Sequence, residues 1–302
     1  MAVFRRRLAS SSKTCRLKGL PESVSSLAVP SWDTAGLMDV DPINHVWMIS
    51  RVYNYNEQLL WGKYDPDTLE LSYGGLKSGQ NFGQNGISLY PHHNAFYDTQ
   101  NSSTPGTCYG QYDQTTGEPV IDGVIYRSGS SGYRYIINQF TGNWYEDCDG
   151  SPYVIYYGNL VNNRVPVYDQ NYADPNAARL WRPITDHLLG LGWGNADYGG
   201  TKVYNKYQVD PSTGALTHVG QASIGGGTVT DIKVIDPFFR YAFIRSDTLV
   251  NGRWPSDIYT YDSNGDFTFT GRTWEYDANC IDPINKIIFS VDGFNIRAGF
   301  YC

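Results

Sequence analysis

Four side chains with hard oxygen atoms, Asp33, Asn85, Asp231 and Asp277, each stand shortly before an apolar segment of the 302-residue sequence. Carboxylate and amide oxygens are the ligands that Ca²⁺ prefers in proteins. A calcium ion in such a site could polarise an ester carbonyl and activate water, as in a metal-dependent hydrolase. The four residues are far apart in the chain, so this chemistry requires a fold that brings their segments together.

Arg134 stands before the corresponding segment of another unit, and Glu275 stands before the same segment as Asp277; we predict both as binding residues of the same site. The alternative is that all six polar side chains simply line a water-filled channel. The sequence has no Gly-x-Ser-x-Gly nucleophile motif, no phosphate-binding loop and no His-x-x-x-His metal spacing. We therefore predict no catalytic residue.

The elements that would position these residues are repeats. One marker is an apolar run that ends in Asp-Pro and is followed by a second apolar run, as in MDVDPINHVWMIS, KVIDPFFRYAFIRS and NCIDPINKIIFSV. Three looser copies complete the series. The proline or its equivalent falls at Pro42, Pro91, Gln139, Pro183, Pro237 and Pro283.

A second marker follows the first in five of the six units. It is a tyrosine-rich strand and a turn, best preserved in YQVDPSTGAL (207–216). Pro presets φ, Gly accepts positive φ, and Asp bonds to the amides that follow it, so Asp210 is predicted to form a turn and no active site. The turn-starting residues are Asp65, Asp113, Asn162, Asp210 and Asp262.

Both markers repeat about every 48 residues, which is the length of a four-stranded propeller blade. The predicted fold is an all-β six-bladed β-propeller, with a seven-bladed ring as the alternative. The sixth unit lacks its fourth strand at the C-terminus. We predict that residues 13–20, KTCRLKGL, supply it and close the ring, which removes exposed sheet edges.

These markers resemble the repeats of lactonase-type propellers, the group that includes phosphogluconolactonases. The apolar-Asp-Pro run and the hairpin Tyr-x-x-Asp-Pro-x-Thr-Gly-x-Leu are shared with that group. The resemblance covers nearly the whole chain and rests on residues of the repeat framework. It implies a propeller with a metal near its axis, for which Asp33, Asn85, Asp231 and Asp277 would be the ligands.

The domain prediction is a basic N-terminal arm, residues 1–12, followed by one propeller domain, residues 13–302. The first 18 residues contain six basic and no acidic side chains, whereas the whole chain carries a net charge of −7. Arg5, Arg6 and Arg7 are predicted to dock the arm on a protein partner rather than on nucleic acid. The alternative is a solvated, frayed terminus.

The blade alignment also suggests a disulfide. Cys302 ends the third strand of the last blade and Cys15 begins the predicted fourth, so the two would face each other across the closing hairpin. Unrelated terminal cysteines are the alternative, because connectivity cannot normally be read from a sequence.

The composition, with 25 Tyr, 32 Gly and 18% charged residues, is typical of an exposed β-rich protein. No apolar run is long enough to span a bilayer, and the N-terminus lacks the apolar core of a signal peptide. We predict a non-enzymatic attachment module of a phage or virus particle, located in the virion or on an extracellular surface, without a cofactor unless Ca²⁺ is bound. The alternatives are a lactonase-type hydrolase and a glycan-binding propeller that stacks sugars on exposed Trp and Tyr. Trp47 and Trp144 align between blades, but on a strand where core packing explains them better.

Overall fold

The computed structural model describes residues 25–30, 34–53, 56–79, 82, 86–100, 106–126, 132–148, 154–160, 165, 171–172, 181–198, 201–225 and 229–301. These residues form six sheets, of which five have four strands and one has five. Neighbouring strands of each four-stranded blade are antiparallel. Within the described residues, no helix is long and apolar enough to cross a membrane.

The first strand of each blade lies on the ring's inner side, where it contacts the first strands of both neighbouring blades. These six strands are β2 (Thr34–Asp41), β6 (Ile87–Tyr90), β10 (Gly132–Ile137), β14 (Trp181–Asp186), β19 (Val229–Asp236) and β23 (Cys280–Asp282). The second strands are β3 (Val46–Tyr53), β7 (Ala95–Gln100), β11 (Asn143–Cys148), β15 (Leu191–Tyr198), β20 (Tyr241–Ser246) and β24 (Ile287–Asp292).

The outer half of each blade has the same order. The third strands are β4 (Asn56–Tyr64), β8 (Gly106–Tyr112), β12 (Val154–Asn159), β16 (Thr201–Val209), β21 (Ser256–Tyr261) and β25 (Asn295–Phe300). The outermost strands are β5 (Leu71–Ser78), β9 (Pro119–Tyr126), β13 (Asn171–Tyr172), β17 (Leu216–Gln221), β22 (Phe267–Trp274) and β1 (Ser25–Ala28). A short strand, β18 (Ile224–Gly225), pairs in parallel with β22, and a 3₁₀ turn spans Pro91–His93. The fold is a six-bladed β-propeller, as the repeat predicts.

The ring closes with an N-terminal strand, but that strand lies later in the chain than the sequence pattern suggests. Ser25–Ala28 pairs antiparallel with β25, with Ser25 opposite Ala298 and Ala28 opposite Asn295. Leu27 packs against the core shared by the last and first blades, which explains why this segment fits the place. Residues 13–20, which the sequence pattern predicts to form this closing strand, lie outside the described part of the chain.

The observed closing strand also removes the basis for the predicted disulfide. The sequence pattern brings Cys15 opposite Cys302 only if residues 13–20 form the fourth strand of the last blade. Both cysteines lie outside the described residues, as do Arg5, Arg6 and Arg7 of the basic arm. Cys108 and Cys280, which are described, are buried free thiols.

The apolar clusters of this molecule lie between neighbouring blades rather than within single blades. Six apolar clusters are found among the described residues, and each joins two neighbouring blades. The cluster between the first two blades, for example, packs Met48 and Trp61 of one against Leu89 and Phe96 of the other. Trp47 and Trp144 are also buried in such clusters, so neither offers a face to a glycan.

A corresponding turn joins the first and second strands in all six blades, and we call it the Asp-Pro turn. It ends in a residue with a left-handed backbone, φ between 49° and 73°, whose carbonyl accepts an amide from the end of the third strand at 2.8–3.0 Å. The turn-ending residues are His45, Asn94, Gly142, Gly190, Arg240 and Lys286. The donors, here called the junction positions, are Tyr64, Tyr112, Leu160, Val209, Tyr261 and Tyr301.

This geometry corrects the alignment of the fourth blade. Asp186 begins the turn there, because its Oδ1 accepts the amides of Leu188 and Leu189 at 2.7 and 3.1 Å. The residue equivalent to the anchor proline is therefore His187 rather than Pro183. Pro183 lies inside strand β14, where the strand pairing is irregular.

The aspartates of the turns also join neighbouring blades. At four of the six junctions, a junction-position tyrosine donates its hydroxyl hydrogen to the turn aspartate of the preceding blade. The pairs are Tyr64–Asp282 at 2.9 Å, Tyr112–Asp41 at 2.7 Å, Tyr261–Asp186 at 2.8 Å and Tyr301–Asp236 at 2.8 Å. All four aspartates are fully buried, so each bond satisfies a carboxylate that water does not reach.

The two other junctions lack both the tyrosine and the aspartate. Tyr90 replaces the aspartate before Leu160, and Asn138 replaces it before Val209. A buried carboxylate without a donor would cost free energy, and so would a buried hydroxyl without an acceptor. The paired replacement avoids both costs.

We predict that Tyr261→Phe destabilises the protein by about 2 kcal/mol, because it leaves the Asp186 carboxylate without its donor. Tyr259 lies on the same strand and is equally buried, but its hydroxyl has no hydrogen-bond partner among the described residues. Tyr259→Phe should therefore leave the free energy of unfolding nearly unchanged. Urea denaturation followed by circular dichroism checks both variants, and equal losses would contradict the assignment.

Candidate functional site

A cavity of about 210 Å³ lies on the axis of the ring and is lined by the first strands of all six blades. Most of its wall is apolar, with one residue from each blade as representative: Leu37, Ile87, Ile136, Ile184, Val234 and Ile281. The cavity reaches the Asp-Pro turns, where Gln139, Phe140 and His187 line it. A largely apolar cavity with a few polar groups is the usual form of a small-molecule site.

Of the predicted site residues, Asp231, Glu275 and Asp277 lie towards the opposite face of the ring and do not line this cavity. Asp231 is half-buried near the start of β19, Asp277 precedes β23, and Glu275 is exposed. Arg134 lies in β10, with its backbone opposite Asp147. Asp33 and Asn85 fall outside the described residues, so the predicted four-residue calcium site remains a prediction.

Asp277 is engaged in ion pairs. Its carboxylate lies 2.9 Å from the Lys233 ammonium and 3.9 Å from the Arg245 guanidinium. Only 8% of the Lys233 side chain is exposed, so Asp277 is the counter-ion of a nearly buried cation. Among the described residues, no group of three or more His, Cys, Asp and Glu side chains is close enough to hold a metal ion.

The wall of the cavity contains a carboxyl group that the sequence analysis did not select. The Asp39 carboxylate accepts the Leu89 amide at 2.7 Å and the Val40 amide at 2.9 Å, and the Gln139 side-chain amide lies 3.3 Å away. Burial raises the pKa of Asp39 to about 7, and the nearby charge of Asp41 adds to this effect. Asp39 can therefore gain or lose a proton near neutral pH.

A repeat alignment contains the signal for Asp39. The equivalent residues, two places before the turn residue in the other five blades, are Ser88, Ile136, Ile184, Val234 and Cys280. An ionisable carboxyl occurs at this place only in the first blade. The segment MDVDP contains two aspartates. The second, Asp41, belongs to the repeat framework, so the first, Asp39, is easily taken for part of the same motif.

A second feature lies at the face of the ring opposite the Asp-Pro turns. The hairpin between β20 and β21 is longer than the repeat requires, and an Asn251-Gly252 turn with φ of 53° and 76° closes it. Val250 and Arg253 pair across this turn through two backbone bonds of 2.9 and 3.0 Å. The hairpin therefore has a defined shape.

Arginine side chains hold this hairpin against the ring. The Arg245 guanidinium stacks over Trp254 at 4.6 Å, and that of Arg253 stacks over Tyr276 at 5.1 Å. Arg253 also pairs with Asp292 of the last blade at 3.2 Å. Cation–π and ion-pair contacts together fix the position of the exposed side chains that surround them.

These side chains form what we call the Arg–Trp surface: Arg245, Leu249, Val250, Arg253, Trp254 and Phe294. Its apolar members are 36–53% exposed. They account for four of the ten large apolar side chains that are exposed among the described residues. Scattered exposed apolar residues are normal, but a concentration of them beside arginine and tryptophan is typical of an interaction surface.

Comparisons with known proteins support the fold alone. No family model and no curated protein matches the sequence. Pseudomonas aeruginosa periplasmic gluconolactonase PpgL is similar in structure, with a TM-score of 0.52 and 11% identity over 82% of this chain and 87% of that one. A chain in the crystal structure of the mitotic checkpoint complex has a TM-score of 0.53 and 11% identity over 95% of this chain and 93% of that one. The resemblance to lactonase-type propellers is confirmed at the level of fold.

We predict that Asp39 makes the protein's stability depend on pH between about 4 and 7. The folded pKa of about 7 lies above the ordinary value of 3.8, so the folded state holds the proton more tightly. The stability that this proton contributes is complete below pH 4 and is lost as the pH rises through 7. Asp39→Asn should remove this loss.

The measurement is the free energy of unfolding of both proteins from pH 4 to 8. Asp41, Tyr112 and Cys280 are the titratable neighbours whose charges interact with Asp39, and they are present in both proteins. The wild type should lose stability relative to Asp39→Asn across this range. A difference that stays constant with pH would show that Asp39 titrates normally.

Proposed function

We propose that this protein is a non-enzymatic β-propeller attachment module that holds a protein partner on its Arg–Trp surface. The observation that carries the proposal is the exposed Trp254 beside Arg253, on a hairpin whose shape is already fixed. Tryptophan and arginine dominate the binding energy of protein interfaces, and a pre-formed loop loses little entropy on binding. The fitting partner presents an apolar socket for Trp254.

The docking arm, the role in a phage or virus particle and the location are proposed from the sequence alone. A basic arm that includes Arg5, Arg6 and Arg7 would add to the docking. The tyrosine- and glycine-rich composition favours a component of a phage or virus particle, in the virion or on an extracellular surface. Co-purification with particles, and its loss on deletion of residues 1–12, tests these parts.

Site-specific photo-crosslinking in the producing cell tests the Arg–Trp surface. With p-benzoylphenylalanine in place of Val250, we expect one discrete adduct whose mass identifies the partner. Val120, which is 58% exposed on β9, is the matched control and should give none. Trp254→Ala in the Val250-labelled protein should abolish the adduct, because loss of a hot-spot tryptophan costs about 2 kcal/mol or more.

Equal labelling from both positions, or an adduct that survives Trp254→Ala, would contradict the proposal. An adduct of twice the chain mass would identify the partner as a second copy.

The alternative function is a lactonase-type hydrolase, which the sequence repeats suggest, and PpgL is a lactonase by name. Its calcium ion is predicted from the sequence of this chain alone. Two predicted ligands, Asp231 and Asp277, are described. Lys233 and Arg245 both pair with Oδ2 of Asp277, whereas its Oδ1 has no hydrogen-bond partner among the described residues, so calcium there would meet two positive charges beside one available oxygen. The ion pairs therefore favour a structural role for Asp277.

We predict that Asp277→Asn destabilises the protein by about 1–3 kcal/mol, because the nearly buried Lys233 loses its counter-ion. Glu275→Gln, at the neighbouring exposed carboxylate, should change stability by less than about 0.5 kcal/mol. Calcium should leave the melting temperature of the wild type unchanged. The hydrolase alternative predicts instead a calcium-dependent rise in melting temperature and lactone hydrolysis, both lost in Asp277→Asn.

A further inference from the structure

The axial cavity combines an apolar wall with one carboxyl group. Asp39 stands where three of the other five blades place an aliphatic side chain, and the amides of Leu89 and Gln139 orient its carboxylate. Neither contact brings a positive charge to Asp39. The cavity, at about 210 Å³, is larger than the ~150 Å³ cavity that accommodates benzene in an engineered protein. By the same ratio it can hold a compact molecule of about eight non-hydrogen atoms.

The charges around this end of the axis are mostly negative. Asp41, Asp186, Asp236 and Asp282 are fully buried in the Asp-Pro turns, and each accepts a neutral tyrosine hydroxyl. A neutral hydroxyl does not cancel the charge of a carboxylate, although Asp236 also pairs with the Lys286 ammonium and burial raises the pKa of Asp282. Carboxylates around a low-dielectric cavity focus a field that attracts cations.

Three lysines near the axis, among the described residues, already have partners. Lys286 pairs with Asp236 at 3.2 Å, and Lys233, which lines the cavity, pairs with Asp277 at 2.9 Å. The Lys63 ammonium donates to the backbone oxygen of Gln114 at 2.8 Å. Burial lowers the pKa of His187, so its imidazole is neutral at pH 7.

Two aromatic side chains, Phe140 and His187, line the cavity at the Asp-Pro turns, and Phe238 contacts both of them. Phe140 stacks on His187 with ring centres 4.5 Å apart, and Phe238 meets Phe140 edge to face at 5.3 Å. The Lys286 ammonium lies 4.1 Å from the Phe239 ring centre and 5.4 Å from that of Phe238. This rim therefore already contacts one ammonium group through ring faces, and ring faces attract organic cations.

We propose that the axial cavity binds a small organic cation, a primary amine or quaternary ammonium ion with a compact apolar body, with Asp39 as its counter-ion. The apolar wall contacts the body of the ligand and excludes strongly hydrated metal ions. The carboxylate supplies the charge that selects a cation over a neutral molecule of the same shape. This site is independent of the Arg–Trp surface, which lies on the opposite face.

Isothermal titration calorimetry with three probes of matched shape tests this inference: benzylammonium chloride, benzyl alcohol and sodium benzoate. At pH 8, above the pKa of Asp39, the wild type should bind benzylammonium at least tenfold more tightly than benzyl alcohol. Benzoate should not bind. Asp39→Asn should reduce benzylammonium affinity at least tenfold and leave benzyl alcohol unaffected.

Two further variants separate the cavity from the general charge of the protein. Ile136→Phe fills the cavity while Asp39 remains, so it should abolish binding of every probe. Glu70→Gln removes a negative charge from an exposed position outside the cavity and should bind like the wild type. Melting curves establish which variants fold, and the three-probe comparison on the wild type needs no variant.

The inference is overturned if the wild type binds none of the probes or binds the amine and the alcohol equally well. It is also overturned if benzylammonium binding persists in Ile136→Phe, since binding would then occur elsewhere.

Discussion

The hydrogen bond between a junction-position tyrosine and the turn aspartate of the preceding blade is the constraint on which four of the six blade junctions depend. Each blade buries its faces against its neighbours, so the fold needs a fixed angle and register between sheets. An apolar contact area is non-directional, whereas a hydroxyl 2.7–2.9 Å from a buried carboxylate defines one arrangement. The same aspartate caps its own turn through its other oxygen, which couples turn and interface.

This use of carboxylates separates framework from function. The turn aspartates are the most regular acidic residues in the chain, yet their oxygens are occupied by amides and hydroxyls. The residues that remain for binding are those that depart from the repeat. Asp39 replaces an apolar residue on the axis, and the hairpin that carries Trp254 extends beyond the length of its equivalents.

Blade number, strand order and N-terminal closure could be predicted because each depends on a local signal that occurs several times. Single occurrences were harder to place. In the fourth blade, the sequence pattern aligns Pro183 with the anchor prolines because proline is the most conspicuous residue of the marker. The turn is made by Asp186 instead. The closing strand Ser25–Ala28 has no marker of its own. The engagement of Asp277 with Lys233 depends on the approach of neighbouring blades, which a linear pattern does not contain.

A double-mutant cycle on Asp186 and Tyr261 tests the central claim most directly, because the Asp186 oxygen that accepts the hydroxyl is not the one that caps the turn. The cycle compares the wild type, Asp186→Asn, Tyr261→Phe and the double variant by urea denaturation. The account predicts a coupling energy of about 1.5–3 kcal/mol, the range for hydrogen bonds to charged groups. Additive effects, with a coupling energy near zero, would contradict it.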